Sequence, residues 1–486
     1  MKNVLNPGKN ILLLVIFSSS FFFFTTSCGP QNGETHPGAN CTTKPTGQFF
    51  SLSDIHFDPY YDSAIVMQLV KSNVQGWETI FKSSQLKTYS PYGVDANYLL
   101  MNSAFSAMNS LNSHPDFITT TGDFLSHKFQ EDYVHYTGIT NTDSLHSFIT
   151  KTTQFIAMQL GKTFPGVPVY PVLGNNDDFC GDYMIQPNDP FLPVFANAWA
   201  PLLDSAHVQN TFAQTVPSGG YYTASLPGYP NHVIIGLNSI FFSPKDTTTC
   251  MPVDTTGAGT ELSWLATTLA NCKQQHQKVW LTCHIPPGAD VYSSLKHQGN
   301  VGQCEDHIKM MWKNEYLTQF LALENQYKDI IVAGLGGHTH MDDFRIITDP
   351  SAAPISFFHI SPSISPIDGN NPGFELFTYD TAAMALQNFT KYVFQGLQAG
   401  ATATWTEAYD FNKTYGITQI NAMSLSTVWK NMYQQPAIRN QYILNYGDGQ
   451  DQATPDSALW KPYWCGIGDM TQATFSGCAC GADVVK

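Results

Sequence analysis

Five short motifs in this chain combine residue types that bind metal ions: Asp54-Ile55-His56, Gly122-Asp123, Gly174-Asn175-Asn176-Asp177, His284, and Gly337-His338-Thr339-His340. Between them they offer seven candidate ligands, Asp54, His56, Asp123, Asn175, His284, His338 and His340. Oxygen and imidazole donors without thiolate suit Zn, Mn or Fe rather than a cysteine-type structural zinc site. Seven side chains are too many for one tetrahedral ion and suit two, with Asp123 shared so that each ion receives four. Two ions about 3.5–4 Å apart clamp the attacking and leaving oxygens of a phosphoryl displacement. Each motif alone is weak, because a D-x-H triplet arises by chance and a lone His is usually structural. Their order and placement carry the reading.

Something must bring these motifs together, and the surrounding pattern supplies it. Each follows a short apolar run with strand character: 49–53, 117–121, 167–173, 278–283 and the run from Ile330. Further runs of this kind occupy 232–237 and 355–360. Between them Leu100, Ala104, Met108 and Leu111 share one helical face, as do Leu262, Leu265, Ala266 and Leu269, and 312–327 reads as another helix. Strands alternating with helices predict an α/β layered domain whose strand ends converge on one ligand-binding edge. Beyond residue 380 the segments 382–395, 420–434 and 436–444 read as helical. The expected organisation is a catalytic domain over 47–380 and a mostly helical C-terminal subdomain over 381–486.

The 486 residues exceed what one hydrophobic core usually carries. With 43% apolar and 13% charged residues, the chain is neither disordered nor a coiled coil. Its 23 Lys+Arg against 38 Asp+Glu, a net charge of −15, exclude a binder of nucleic-acid duplex or a polybasic membrane-surface protein. Lys2 and Lys9 precede an uncharged run from Ile11 to Phe24, too short to span a bilayer, and small residues follow it up to Cys28. Residues 1–28 therefore read as a signal peptide and 29–46 as a flexible tether. Thr26-Ser27-Cys28 resembles the lipobox of bacterial lipoproteins, with Thr25 where Leu is usual; simple secretory cleavage is the other reading. No later stretch is a transmembrane segment. The expected location is secreted, periplasmic or at the cell surface as a lipoprotein anchored at Cys28. Ten Cys in an exported chain predict disulfides, with Cys180 in one and the Cys465, Cys478, Cys480 cluster stapling the tail. Loss or lipidation of Cys28 leaves an odd number, and Cys283, closing a strand-like run, is the candidate free thiol.

In order, the motifs D-x-H, G-D, G-N-x-[ED], a lone His and G-H-x-H resemble those of the calcineurin-like metallophosphoesterases. His284-Ile285-Pro286-Pro287-Gly288, the run Gly337 to Phe344, Ser361 to Pro366, and Asn371-Pro372-Gly373-Phe374 look like the acid sphingomyelinase-like phosphodiesterase branch. So do Asn388-Phe389-Thr390, Trp405, Tyr415-Gly416 and Tyr463-Trp464-Cys465, so the resemblance runs from about residue 48 onward. It implies a four-layer αββα sandwich. It also implies one metal on Asp54, His56, Asp123 and His340, and another on Asp123, Asn175, His284 and His338. A hydroxide bridging the two would attack phosphorus in line, with no covalent intermediate.

Asn176 stands where most relatives carry a His that assists the leaving group. His127, four residues after Asp123, has the spacing of a second His in that branch and is the expected general acid or transition-state stabiliser. Asn176 is then expected to hydrogen-bond a phosphoryl oxygen. Nucleotides, cyclic nucleotides, sphingomyelin and polyphosphate occur as substrates in this branch and its near relatives. With no separate N-terminal membrane-docking domain, a small soluble phosphate compound is favoured over lipid. Tyr60, Tyr61 and Tyr89 are candidates to stack on a base or cover a headgroup. The competing readings are endopolyphosphatase-like activity, and a catalytically impaired surface binding protein with Asn176 as the cause.

Overall fold

The computed structural model describes residues 46–204, 206–296, 304–397, 404–447, 455 and 459–481, all in one compact unit. The expected signal segment and tether, with Cys28 and Cys41, lie outside the described residues up to position 45. The strands in chain order are β1 (Thr46–Leu52), β2 (Phe117–Thr120), β3 (Val169–Pro171), β4 (Tyr222–Leu226), β5 (Tyr229–Gly236), β6 (Lys278–Thr282), β7 (Ile331–Gly336), β8 (Asp343–Thr348), β9 (Pro354–Ile360), β10 (Gly373–Asp380), β11 (Leu386–Gln395) and β12 (Thr404–Asp410). They form two six-stranded mixed sheets, ordered β12-β11-β10-β1-β2-β3 and β4-β5-β6-β7-β9-β8.

The two sheets pack face to face through aromatic residues on their inner faces. Phe49 of β1 stacks on Phe117 of β2 at 4.6 Å and meets Trp280 of β6 at 5.1 Å, and Trp280 meets Tyr379 of β10 at 5.3 Å. Helices flank this pair of sheets. The helix Tyr98–Leu111 buries Leu100, Ala104 and Met108 at the predicted spacing, and Asn97 caps it by accepting from Leu100 N at 3.0 Å. With Thr142–Thr163 it forms the crossovers that keep β1, β2 and β3 parallel. On the second sheet Gly257–Gln274 and Asn314–Gln326 do the same for β5, β6 and β7. The architecture is the expected four-layer sandwich.

The C-terminal expectation needs correction. Residues 386–395, expected in a helix, form β11, and β12 follows at 404–410, so the first sheet runs past the expected boundary at 380/381. Ala382, Ala383 and Met384 suggested a helix start. Instead Asp380 Oδ1 accepts from Ala382 N and Ala383 N, and Met384 at φ 59° completes a hairpin turn. Phe389, Lys391 and Val393 are then buried at a spacing of two, with Thr390 and Tyr392 half-buried between them. Helices begin at Phe411 and continue with Ala422–Gln434, Pro436–Gly447, Trp460–Gly468 and Gln472–Ala479. Trp429 and Trp464 stack at 4.9 Å, each indole N–H donating to the other residue's carbonyl. Disulfides Cys465–Cys478 and Cys304–Cys480 staple this tail, and Cys180 pairs with Cys250. Cys283 is a buried free thiol as expected, and so is Cys272. Among the described residues no helix is long and apolar enough to cross a membrane.

Candidate metal centre

All seven candidate ligands lie just beyond strand ends, drawn from both sheets. Asp54 and His56 follow β1, Asp123 follows β2, and Asn175 follows β3. From the second sheet, His284 follows β6 and His338 and His340 follow β7. Backbone hydrogen bonds tie these loops together: Asp54 N to Gly122 O (3.0 Å), His56 N to Asp123 O (2.9 Å) and Gly337 N to His284 O (2.9 Å). His338 N also donates to Asp54 Oδ2 at 2.9 Å. Five of the seven ligands sit in the left-handed region, with φ of 48° at Asp54, 41° at His56, 53° at Asp123, 73° at His338 and 64° at His340. Each costs on the order of 1 kcal/mol, and such strain concentrates where geometry serves chemistry. Gly122 is required for two reasons: its φ is 92°, and a Cβ there would strike the backbone of Gly174.

The ligands divide into two groups, Asp54 with His56 and His340, and Asp123 with His284 and His338, each with donor atoms within 4.8 Å of one another. Asp123 stands between the groups, its Oδ2 lying 3.4 Å from His56 Nε2 and 3.3 Å from His284 Nε2. The imidazoles are oriented from behind. His56 Nδ1 faces Leu125 O at 3.0 Å, His284 Nδ1 faces Thr121 O at 2.6 Å, and His340 Nδ1 lies 3.1 Å from an Asp368 oxygen. Held in this way, each presents Nε2 inward, as a metal-binding His does when its other nitrogen donates outward. His56 Nε2 and His340 Nε2 approach to 3.1 Å, and His338 Nδ1 comes within 3.3 Å of His284 Nε2. Asp182 fixes Asn175 by accepting from its Nδ2 at 2.7 Å, leaving Oδ1 at 2.9 Å from His284 Nε2.

These side chains fit a pair of divalent ions. Asp54 Oδ1 is wholly buried without a hydrogen-bond donor, which is costly unless a cation satisfies it. Burial lowers the His284 pKa, but the Asp123 and Asp54 carboxylates outweigh it and push it up to about 9. Burial and the charge of His284 push His338 down to about 3, so that imidazole is neutral with a lone pair to offer. Burial raises the Asp54 carboxyl, yet His340 and His284 overcome this and hold it well below the usual range. The site thus gathers two carboxylates beside imidazoles in one buried place, with His338 neutral and His284 and His340 drawn toward protonation by the carboxylates, a role a bound cation would take over.

His127 lies beside the first group, its ring stacked on His56 at 4.1 Å and its side chain 40% exposed. Its Nδ1 is 3.1 Å from both oxygens of Asp95, which also accepts from His127 N and from Ser365 Oγ. Burial lowers the His127 pKa, but the hydrogen bond with Asp95 outweighs it, so the net shift is upward. Asn176 donates from its backbone N and its Nδ2 to the two oxygens of Asp123, at 2.8 and 2.9 Å.

Sequence reasoning missed several supporting residues. Asp177 accepts from Phe124 N, Leu125 N and Gly174 N and so locks two ligand loops together. Tyr183 places its hydroxyl 3.1 Å from His338 Nε2. Asp177 stood within a recognised motif, whereas Asp95, Asp182, Tyr183 and Asp368 lie in loops with no local signature. Tyr60 is not available for stacking on a ligand: it is buried among Phe129, Tyr136 and Phe148. A cavity of about 560 Å³ instead opens beside His338 and Asp368, bordered by Tyr92, Tyr292, Lys245 and Arg345.

Residues 49–342 match the calcineurin-like phosphoesterase family. The chain is 30% identical to the sphingomyelinase phosphodiesterase D of Dictyostelium discoideum, over 81% of this chain and 87% of that one. It is 26% identical to the human cyclic GMP-AMP phosphodiesterase, over 89% and 90% of the two chains. With the mouse acid sphingomyelinase-like phosphodiesterase 3b it shares 23% identity over 90% of each.

Proposed function

The chain belongs to the calcineurin-like phosphoesterase family, and from that premise we propose an exported hydrolase of soluble, nucleotide-like phosphodiesters or phosphoanhydrides that works with two divalent ions. The observation that carries this reading is the convergence of seven ligand side chains from both sheets, with Asp123 Oδ2 between two imidazole sets. Asp54, His56, Asp123 and His340 would hold one ion, and Asp123, Asn175, His284 and His338 the other. Their donors suit Zn, with Mn or Fe as alternatives. Bound there, the ions supply an activated water and neutralise charge on the phosphoryl oxygens.

The chain's own residues do the rest. Asn176, committed to both oxygens of Asp123, keeps that carboxylate facing both ligand groups. Asp95 anchors His127 Nδ1 and favours its protonated form, leaving Nε2 to supply the proton a departing oxygen needs. The 560 Å³ cavity is of the size that holds a nucleotide-like leaving group. The human relative's activity on cyclic GMP-AMP supports that class, and the disulfides support an oxidising compartment.

The test is a turnover panel at pH 5 and 7.5 with Zn or Mn: bis-p-nitrophenyl phosphate, p-nitrophenyl phosphate, ATP, polyphosphate and sphingomyelin. Metal-dependent hydrolysis of the soluble compounds is expected; faster detergent-independent hydrolysis of bilayer sphingomyelin would reassign the substrate to lipid. His127→Gln is expected to cut kcat about a hundredfold on a poor leaving group and little on p-nitrophenolate. Equal losses on both would remove His127 from proton transfer.

A further inference from the structure

We propose that a lysine-lined groove beside the metal centre binds a second phosphate group of the substrate, which makes the favoured substrate a chain of phosphates, free or attached to a nucleoside. The inference rests on the reading that the adjoining centre handles phosphoryl groups.

A second cavity of about 490 Å³ adjoins the first and shares Lys245, Asp290 and Ser293 with it. It adds Lys309 and Lys313, with buried Trp312 between them in sequence. In a chain with 23 basic residues against 38 acidic ones, three lysines converging on one groove stand out. Lys245 links the groove to the centre: its Nζ lies 3.4 Å from the Tyr183 hydroxyl, which is 3.1 Å from His338 Nε2. Backbone hydrogen bonds place Lys309 and Lys313, and the Lys313 ammonium lies 5.8 Å from the centre of the Tyr316 ring. Lys309 N donates to Ser294 Oγ at 2.9 Å and Lys313 N to Phe242 O at 2.7 Å. Neither ammonium group has an ion-pair partner among the described residues.

The nearby acids leave the groove positive. Asp290 accepts from Ser293 N on one oxygen and faces Lys245 at 3.9 Å with the other. Burial pushes the Asp246 carboxyl up to about 7, which reduces the charge opposing Lys313. Lysine ammonium groups act as mobile point charges and suit a flexible phosphate chain. With the scissile phosphorus at the metal centre, the next phosphates run past Lys245 toward Lys309 and Lys313.

The test measures equilibrium binding of inorganic tripolyphosphate and of inorganic phosphate to metal-loaded wild type, Lys309→Gln/Lys313→Gln and Lys309→Arg/Lys313→Arg. Turnover of bis-p-nitrophenyl phosphate is followed on the same preparations. Wild type is expected to bind tripolyphosphate at least about tenfold more tightly than phosphate, the double Gln variant to lose about tenfold of that margin, and the double Arg variant to keep it. Equal tripolyphosphate affinity in wild type and the Gln variant, with turnover intact, would overturn the groove alone. Absent bis-p-nitrophenyl phosphate turnover in wild type, with the tripolyphosphate margin intact, would overturn the proposed hydrolase and leave the groove standing. ATP separates the two sources: binding equal to tripolyphosphate assigns the groove to the phosphate chain, tighter binding adds contact with the nucleoside, and either supports the proposal.

Discussion

Two clusters of buried acids and imidazoles are neutralised in different ways. At the strand ends, Asp54, His56, Asp123, His284, His338 and His340 crowd together, and Asp54 Oδ1 has no donor. Asp342 just before β8, His359 in β9 and Glu375 in β10 form a second group of similar composition. There the protein supplies hydrogen-bond partners to the buried carboxylates, and burial pushes Asp342 up to about 7. His359 Nε2 lies 2.8 Å from both Glu375 oxygens, Ser361 Oγ donates to Glu375 at 3.0 Å, and Tyr409 donates to Asp342. Lys391 Nζ stands 3.5 Å from Asp342 and donates to Asn445 O at 2.9 Å. Composition alone does not separate a metal centre from a structural ion network. What separates them is whether each buried acceptor already has a hydrogen-bond donor.

The largest expected effect breaks the first cluster. Asp123→Ala should lower turnover of bis-p-nitrophenyl phosphate at least about a thousandfold and reduce bound metal below two ions per chain. Full metal content with wild-type turnover would take Asp123 out of its bridging place. The next breaks the second cluster. Lys391→Met should destabilise the fold by about 3–5 kcal/mol in denaturant unfolding, because Asp342 loses its buried counter-charge, while bound metal stays unchanged. Loss of an ion with unchanged stability would join the two clusters into one site.

A smaller effect sharpens the contrast, because a buried acid can also be neutralised by a proton. Glu324 is wholly enclosed, accepts from Ser356 Oγ at 2.6 Å, and burial pushes its carboxyl up to about 7. The folded pKa lies above the unfolded value of about 4.3, so the folded state binds the extra proton. The resulting stabilisation is complete below about pH 4 and is lost as pH rises to about 7, a change of about 3 kcal/mol. Glu324→Gln should flatten that part of the stability–pH profile, as measured by urea unfolding from pH 4 to 8. An unchanged slope would show that Glu324 is ionised in the fold.

The convergence of the candidate ligands was legible in the sequence because each follows a strand end, where a short turn brings it to one place. The layered sandwich was legible for the same reason: apolar runs of period two alternate with helical faces such as Leu100, Ala104 and Met108. Residues acting through tertiary contact left no such mark. Asp95 lies 32 residues from His127 in sequence, and Asp368 28 from His340, so no local pattern links either pair. The left-handed φ values of the ligands are likewise set by the surrounding backbone hydrogen bonds. Strand β11 was misread because its neighbouring alanines favour a helix, whereas pairing with β10 and β12 decides its conformation.

The central claim is that the unsatisfied cluster, and not the satisfied one, holds two catalytic ions. The most direct measurement is a metal titration of chelator-treated protein, following bound ions per chain together with turnover of bis-p-nitrophenyl phosphate. The account predicts saturation at two ions, activity that rises with the second, and loss of both in Asp123→Ala but not in Lys391→Met. Turnover that survives removal of the metal, or saturation at a single ion, would contradict it.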